Sequence, residues 1–287
     1  MYAGELVVAL LIVILSIIKP LAYRPVAQHY DLSFSALFTS MWTTLFIALS
    51  FPFLGKSFIA EIPLLLSAPQ LILFGVSKGI VAWYSIKFSQ AVNKQSTSSV
   101  VFFPFISLAL ASFTLNMFLG ESLNLLQLAI IFLLGVLGFI LWFFGMVKEL
   151  SKDWKKYFIF AIVLSALCPV LDHVALRQMN WYSYFVLSNL TTLVICLCRR
   201  PKLLDFKRVF ISRDVFVAGF FNTLREIVVI SASVSILPVS LVNFSIRLAA
   251  PIVMVFSAIR YKESTVKSQL IFGIVALLLA LPIIMAR

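Results

Sequence analysis

Charge is scarce in this sequence: Asp, Glu, Lys and Arg together make up only 12% of it, while 62% of its residues are hydrophobic and its mean hydropathy is +1.08. A soluble domain carries roughly a quarter charged residues, so too few polar groups are present to cover such a surface in water. Histidine is nearly absent, with two residues, and His29 and His173 lack the spacing of a metal site. The three cysteines, Cys168, Cys196 and Cys198, are too few for a disulfide framework and none of their spacings is C-x-x-C; they read as small apolar fillers. No P-loop or glycine-rich phosphate cradle occurs, which argues against direct ATP hydrolysis. No Gly/Ser linker or polar tail marks off a soluble domain, and no cofactor is expected.

What the sequence has is long apolar runs. A helix needs about 20 apolar residues to cross the hydrocarbon core of a bilayer, and only helices or closed barrels satisfy their backbone there. Barrel strands alternate apolar and polar residues; Leu6 to Ile18 and Leu123 to Phe144 do not. The expected fold is an all-α membrane protein of ten transmembrane helices. The spans are placed at 4–19, 34–54, 67–88, 97–119 and 123–146, then 157–177, 181–198, 214–236, 239–261 and 265–285. The amino-terminal run carries Glu5, lacks a preceding basic residue and has no small-x-small site, so it reads as the first span and not as a cleavable signal.

Basic residues set the orientation. Three of the 23 Lys and Arg lie near mid-span: Lys78, Arg225 and Arg247. Of the others, Lys56, Arg177 and Arg287 fall on one side of the span pattern and the rest, including Lys19, Arg24, Lys87 and Arg199 to Arg213, on the other. Cytoplasmic loops carry the basic excess, so both termini are expected outside the cytoplasm of an inner-membrane, multi-pass protein. That flank also accounts for the high pI, so no nucleic-acid partner is invoked.

Sliding the chain by 142 residues aligns Ser89 to Gln127 with Ser231 to Gln269 without a gap. Ser98/Ser240, Val100/Val242, Phe102/Phe244 and Glu121/Glu263 are among the identical pairs, and Gly120-Glu121 falls on Lys262-Glu263. Each half holds an odd number of spans, so two such halves, 1–146 and 147–287, must be inverted relative to one another. Inverted repeats are a frequent secondary-transporter architecture, with the substrate near the midplane.

The stretch from Ser98-Ser-Val-Val-Phe-Phe-Pro-Phe-Ile through Phe118-Leu-Gly-Glu121 to Trp142 resembles the EamA-type repeat of the drug/metabolite transporter superfamily. Val239-Ser-Leu-Val-Asn-Phe through Ala250-Pro251 and Lys262-Glu263 resembles it again. Two departures stand out. Pro104 lies five residues further from its glutamate than Pro251 does, and Lys262 stands where glycine is usual. The resemblance implies a ten-helix carrier whose third, fourth, eighth and ninth helices help line a central cavity.

Ionisable groups at membrane depth cost about 2.5–3.5 kcal/mol each on the insertion scale, and by default they are functional. Lys78, Arg225, Glu226 and Arg247 lie close to span centres, and Asp172 and His173 lie deep in the sixth span. Asn222, Glu226 and Ser233 share a stripe with Arg225 beside Asn222; Ser240, Asn243, Arg247 and Pro251 form another. Gln70, Phe74, Lys78, Val81 and Ser85 form a third. Surplus positive charge attracts an anion or the carboxylate of a zwitterion, with arginine able to grip it bidentately.

Lys78, Arg225, Glu226, Arg247, Asn222, Asn243, Trp83 and Tyr84 are the expected substrate-binding residues, and Glu226 and Asp172 the expected coupling groups. Trp42 is a further aromatic candidate. Glu226 neutralises an arginine, binds a substrate amine, or exchanges a proton. Arg225 and Glu226 point about 100° apart on their helix, so they do not make an ideal pair, whereas Glu226 could pair Arg247 across helices. A purely structural ion network joining the eighth and ninth helices is the competing reading.

Trp154, Tyr157, Trp181 and Tyr182 read as interface anchors, and Glu121 and Glu263 as caps at helix starts. The function expected is a secondary transporter of a small polar metabolite, an amino acid or organic anion. A membrane-embedded enzyme would need a nucleophile and base or a metal cluster, and a structural membrane protein should lack costly mid-span charges. A channel would need a filter, which nothing here specifies. A homodimer stays open, since the small-residue pair Gly75-x-x-x-Gly79 suits helix packing within or between subunits.

Overall fold

The fold follows from where the backbone meets its own hydrogen bonds, and it does so in helices throughout. A computed structural model describes residues 3–95, 97–120, 123–141, 152–199, 211–235, 237 and 239–262, with isolated positions at 207, 271, 274–275 and 278–279. Among these the helices are α1 (Ala3–His29), α2 (Leu32–Ser67), α3 (Pro69–Gln95), α4 (Thr97–Leu119) and α5 (Leu125–Leu141). They continue as α6 (Lys152–Leu176), α7 (Trp181–Cys198), α8 (Arg213–Ser235), α9 (Val239–Leu248) and α10 (Ala250–Tyr261). Helices α9 and α10 are separated by Ala249 alone, and Pro251 opens α10. Proline brings no N–H, so the carbonyl four residues earlier, that of Arg247, loses its intrahelical donor.

Seven of these segments are long and apolar enough to cross a membrane: α1, α2, α3, α6, α7, α8, and the α9–α10 pair over Leu241–Tyr261. Helices α4 and α5 contribute shorter apolar stretches, Phe105–Leu119 and Leu125–Ile140. The outer surface is apolar. Leu6, Val7, Leu10 and Ile14 on α1, Leu49 and Phe53 on α2, and Ile159, Phe160 and Val163 on α6 are all exposed. A contiguous apolar surface on that scale suits lipid and not water, and the chain is an all-helical, multi-pass membrane protein.

Two boundaries differ from expectation. The first span continues through Pro20 and Pro25 to His29, so Lys19 lies within the helix and not at its end, and Arg24 is helical as well. Arg24 is buried; its Nη1 donates to the Asn93 carbonyl on α3, and its guanidinium sits 5.5 Å from the Tyr261 ring centre. The second span runs on through Gly55 and Pro63 to Ser67. At 1.5 Å per residue such a helix is longer than the roughly 30 Å hydrocarbon core, and its end supports α7: Glu61 Oε1 accepts from the Asn180 N–H at 2.7 Å. Asn180 itself caps α7, its Oδ1 accepting from the Tyr182 N–H at 2.8 Å. Apart from the isolated positions 271, 274–275 and 278–279, the tenth span expected at 265–285 lies outside the described residues, as do Glu121, Glu263 and the Trp154 side chain.

Sequence halves interleave. α3 packs most extensively on α6 and α7, α1 on α8, and α2 on α7. The α3–α7 crossing is close because of two glycines: a Cβ on Gly75 would stand 2.6 Å from Leu187 Cβ, and one on Gly79 would stand 2.5 Å from the Ser188 carbonyl oxygen. Gly75-x-x-x-Gly79 therefore packs within the subunit. At the far end of α4, Arg177 Nη1 donates to the terminal Leu119 carbonyl at 3.1 Å, a cation placed where the helix dipole favours one. Gly120 follows with φ +66°, and the one non-glycine residue of positive φ among the described residues is Lys262, at 52°.

Candidate functional site

Polar positions at helical spacing on seven elements face one cavity of about 280 Å³. α1 supplies Ser16, Lys19 and Tyr23; α2 supplies Thr39, Ser40 and Thr43; α3 supplies Lys78, Ser85, Ser89, Gln90 and Asn93. α6 contributes Ser165, Cys168 and Asp172, α7 Ser188, Asn189 and Thr192, α8 Asn222, Arg225 and Glu226, and α9 Asn243 and Arg247. Steps of three, four and seven recur along each helix, which puts the residues of one helix on one face. The cavity thus lies among apolar helices yet is walled with hydroxyls, amides and charges.

The charges fall into two clusters and one remainder. In the first, Lys78 Nζ lies 2.7 Å from Asp172 Oδ1 and 2.9 Å from Oδ2, and Tyr184 Oη donates to Oδ1 at 2.9 Å. Both charged side chains are about nine-tenths buried, at 11% and 12% exposure. In the second, Glu226 Oε1 accepts from Lys19 Nζ at 3.2 Å and from Arg225 Nη1 at 2.6 Å. Arg225 is held from α1 by its Nε–H donating to Ser16 Oγ at 3.1 Å. This cluster is wetter, with Glu226 32% and Lys19 26% exposed. The remainder is Arg247, which has no ion pair or hydrogen bond among the described residues and whose Nε is buried without a partner.

Neutral polar groups around the cavity bond to one another. Ser40 Oγ donates to Asn189 Oδ1 at 3.2 Å, and Asn189 Nδ2 donates to Thr44 Oγ1 at 2.9 Å. The Thr43 and Thr223 hydroxyls meet at 3.3 Å, and Thr192 Oγ1 donates to the Gly79 carbonyl at 3.1 Å. These bonds tie α2 to α7 and α8, and α7 to α3. Asn222 Oδ1 and Asn93 Oδ1, on cavity-lining residues, are buried without partners.

Of the residues singled out from sequence, Lys78, Arg225, Glu226, Arg247, Asn222, Asn243 and Asp172 come together here. Trp83 and Tyr84 do not line the cavity. They lie about 140° and 120° around α3 from Lys78. Trp83 is buried, with the Arg199 guanidinium 4.2 Å and Lys87 Nζ 5.4 Å from its ring centre; Tyr84 is exposed and stacks on Phe88 at 6.0 Å. Trp42 instead packs edge-on against Phe216 at 4.7 Å, over Gly219. Tyr182, read as an interface anchor, is buried and its hydroxyl donates to the Ile47 carbonyl at 3.1 Å.

The ion pairing also differs from expectation. Glu226 pairs its neighbour Arg225 and Lys19 of α1, not Arg247. Cβ directions 100° apart do not keep two long side chains separate, because Ser16 turns the arginine across the helix face toward the carboxylate. Reasoning from sequence missed Lys19, counted among the basic flank at the end of the first span, and the polar residues of α2 and α7. Ser16, Lys19 and Tyr23 at i, i+3 and i+7 carry the same stripe signal as the other seams. Thr39/Thr43 and Asn189/Thr192 carry it faintly, because single hydroxyls are common in apolar helices. Cys168, read as a filler, lines the cavity.

No family model and no curated protein matches the sequence. The chain is similar to a protein of known crystal structure over 99% of its own length and 97% of that chain, with a TM-score of 0.60 and 12% sequence identity. At that identity the likeness speaks to the fold alone.

Proposed function

We propose that this chain is a secondary transporter that moves a small polar metabolite bearing an anionic group, an organic anion or a zwitterion such as an amino acid, across the inner membrane by alternating access. The observation that carries this reading is the cavity: a polar chamber with more basic than acidic side chains, enclosed by membrane-crossing helices, with Arg247 facing it uncommitted. Intramembrane charge at this density is expensive and marks substrate or ion pathways. Arg247 and Arg225 hold the anionic group, Lys78 stands in the wall paired with Asp172, Asn222 and Asn243 orient the substrate, and Glu226 and Asp172 are the candidate coupling groups. Arg247 sits beside the α9–α10 interruption, the kind of discontinuous helix that places polar groups at the midplane of many carriers.

The finer architecture belongs to the same proposal. Ten spans form two inverted five-helix repeats of EamA type, 1–146 and 147–287, with both termini outside the cytoplasm. Left-handed backbone at Gly120 and Lys262, positions 142 residues apart, supports that repeat.

The test is uptake by proteoliposomes of labelled amino acids, organic anions, nucleotides and cationic drugs, wild type beside Arg247→Ala. Saturable uptake of an anion or zwitterion that Arg247→Ala abolishes while staying folded is the expected result. Uptake restricted to cations or neutral solutes, or undiminished by Arg247→Ala, overturns the assignment.

A further inference from the structure

Charge bookkeeping in the cavity narrows the substrate class. Its described lining holds four basic side chains, Lys19, Lys78, Arg225 and Arg247, and two carboxylates, Glu226 and Asp172. Arginine stays protonated under all ordinary conditions. Asp172 is consumed by Lys78, which bridges both of its oxygens, and by the Tyr184 hydroxyl. Glu226 accepts from two cations at once, Lys19 and Arg225. Two positive charges are therefore left over: one shared between Lys19 and Arg225, and the whole of Arg247.

A zwitterion fits this distribution poorly. Its carboxylate is welcome at Arg247, but its ammonium needs a carboxylate of its own, and each one in the cavity is already flanked by cations that would repel it. A monoanion leaves one surplus charge unmatched inside a membrane-embedded chamber, where an uncompensated charge is costly. We infer that the site takes a small dianion, such as a dicarboxylate or a phosphate monoester, with one negative charge at Arg247 and the other drawn by the Lys19–Arg225 pair. This rests on the anion-carrier reading above and narrows it. Each additional charge-assisted hydrogen bond contributes about 1.5–3 kcal/mol, so about tenfold or more in half-saturating concentration should separate dianion from matched monoanion.

The experiment pairs solutes of one skeleton that differ by one charge: butanedioate against butanoate, and glycerol 3-phosphate against its methyl phosphodiester, with inorganic phosphate and sulfate alongside. Ligand-induced thermal stabilisation of the detergent-solubilised full chain is measured, with proteoliposome uptake of the same compounds. The dianion of each pair should stabilise wild type at concentrations about tenfold or more lower. Arg247→Gln should shrink that gap toward unity, and Arg247→Lys, which keeps the charge, should preserve most of it. Stabilisation by the organic dianions assigns an organic substrate, and stabilisation by phosphate or sulfate alone assigns an inorganic one; both keep the dianion. If no dianion stabilises more than its matched partner, the inference is overturned. Uptake of monoanions or zwitterions would then leave the carrier intact, whereas absence of any anion uptake removes the carrier reading itself.

Discussion

Two ion clusters share one cavity and differ in how completely the protein encloses them. Lys78 and Asp172 are nearly sealed, with the carboxylate meeting lysine on both oxygens and tyrosine on one. Lys19, Glu226 and Arg225 are looser: Glu226 is about one-third exposed and offers a single oxygen to both cations. Two charges removed from water hold together only when geometry repays their desolvation, and breaking such a pair leaves an uncompensated charge. A partly hydrated pair costs less to break and less to rearrange. The sealed cluster joins α3, α6 and α7, whereas the open one joins α1 to α8. Enclosure thus separates a cluster suited to holding helices from one free to respond to a ligand.

The largest expected effect comes from breaking the sealed cluster. Lys78→Met should cost about 3–5 kcal/mol by stranding Asp172, read as a fall in the thermal midpoint in detergent. Lys78→Met combined with Asp172→Leu should recover most of the loss. Equal destabilisation by the single and double variants would mean that the pair is not the source of the stability.

Next comes Gly79→Leu, beside that cluster. Its Cβ alone would stand 2.5 Å from the Ser188 carbonyl oxygen and from Thr191 Cβ, so α7 must move off α3 at a cost of about 1–3 kcal/mol. Gly120→Ala, with nothing within 4 Å of its Cβ but a φ of +66°, serves as a strain-only comparison. A Gly79→Leu protein as stable as wild type would show that the crossing tolerates more separation than its geometry indicates.

Glu226→Gln should then change stability by less than about 1 kcal/mol while lowering the half-saturating concentration for anionic substrates several-fold, since an internal competitor for Lys19 and Arg225 is neutralised. A loss of stability as large as that of Lys78→Met would erase the distinction between the two clusters.

The smallest effect lies outside both. Lys262 is exposed and carries a left-handed backbone, which costs a side-chain-bearing residue about 1–2 kcal/mol relative to glycine. Lys262→Gly should raise stability by up to about 1 kcal/mol, measured as a higher midpoint with uptake unchanged.

Much of this was legible in the sequence because membranes impose a strict rule. Apolar length alone located the core of α1, α2, α3, α6, α7 and α8. The cost of burying charge singled out Lys78, Arg225, Glu226, Arg247 and Asp172, which line one cavity. Helix ends were legible only where polar residues mark them. Prolines at 20, 25 and 63 look like stops, yet α1 and α2 run through them, because neighbouring helices can re-satisfy the freed carbonyls. Lys19 was misplaced for that reason. Trp83 and Tyr84 were misplaced because nearness along the chain to Lys78 says nothing about which way a helix turns.

From the sequence alone came the solvent, the helices and the set of expensive charges, since hydropathy and spacing are local properties of the chain. Which charge meets which was decided only in three dimensions. Lys19 and Glu226 are 207 residues apart, and Lys78 and Asp172 are 94 apart. Their pairing depends on interleaved packing of helices from both halves, in which two glycines let α3 approach α7 closely. That Arg247 is left without a partner is a property of the assembled cavity, because a charge is uncompensated only with respect to everything that surrounds it.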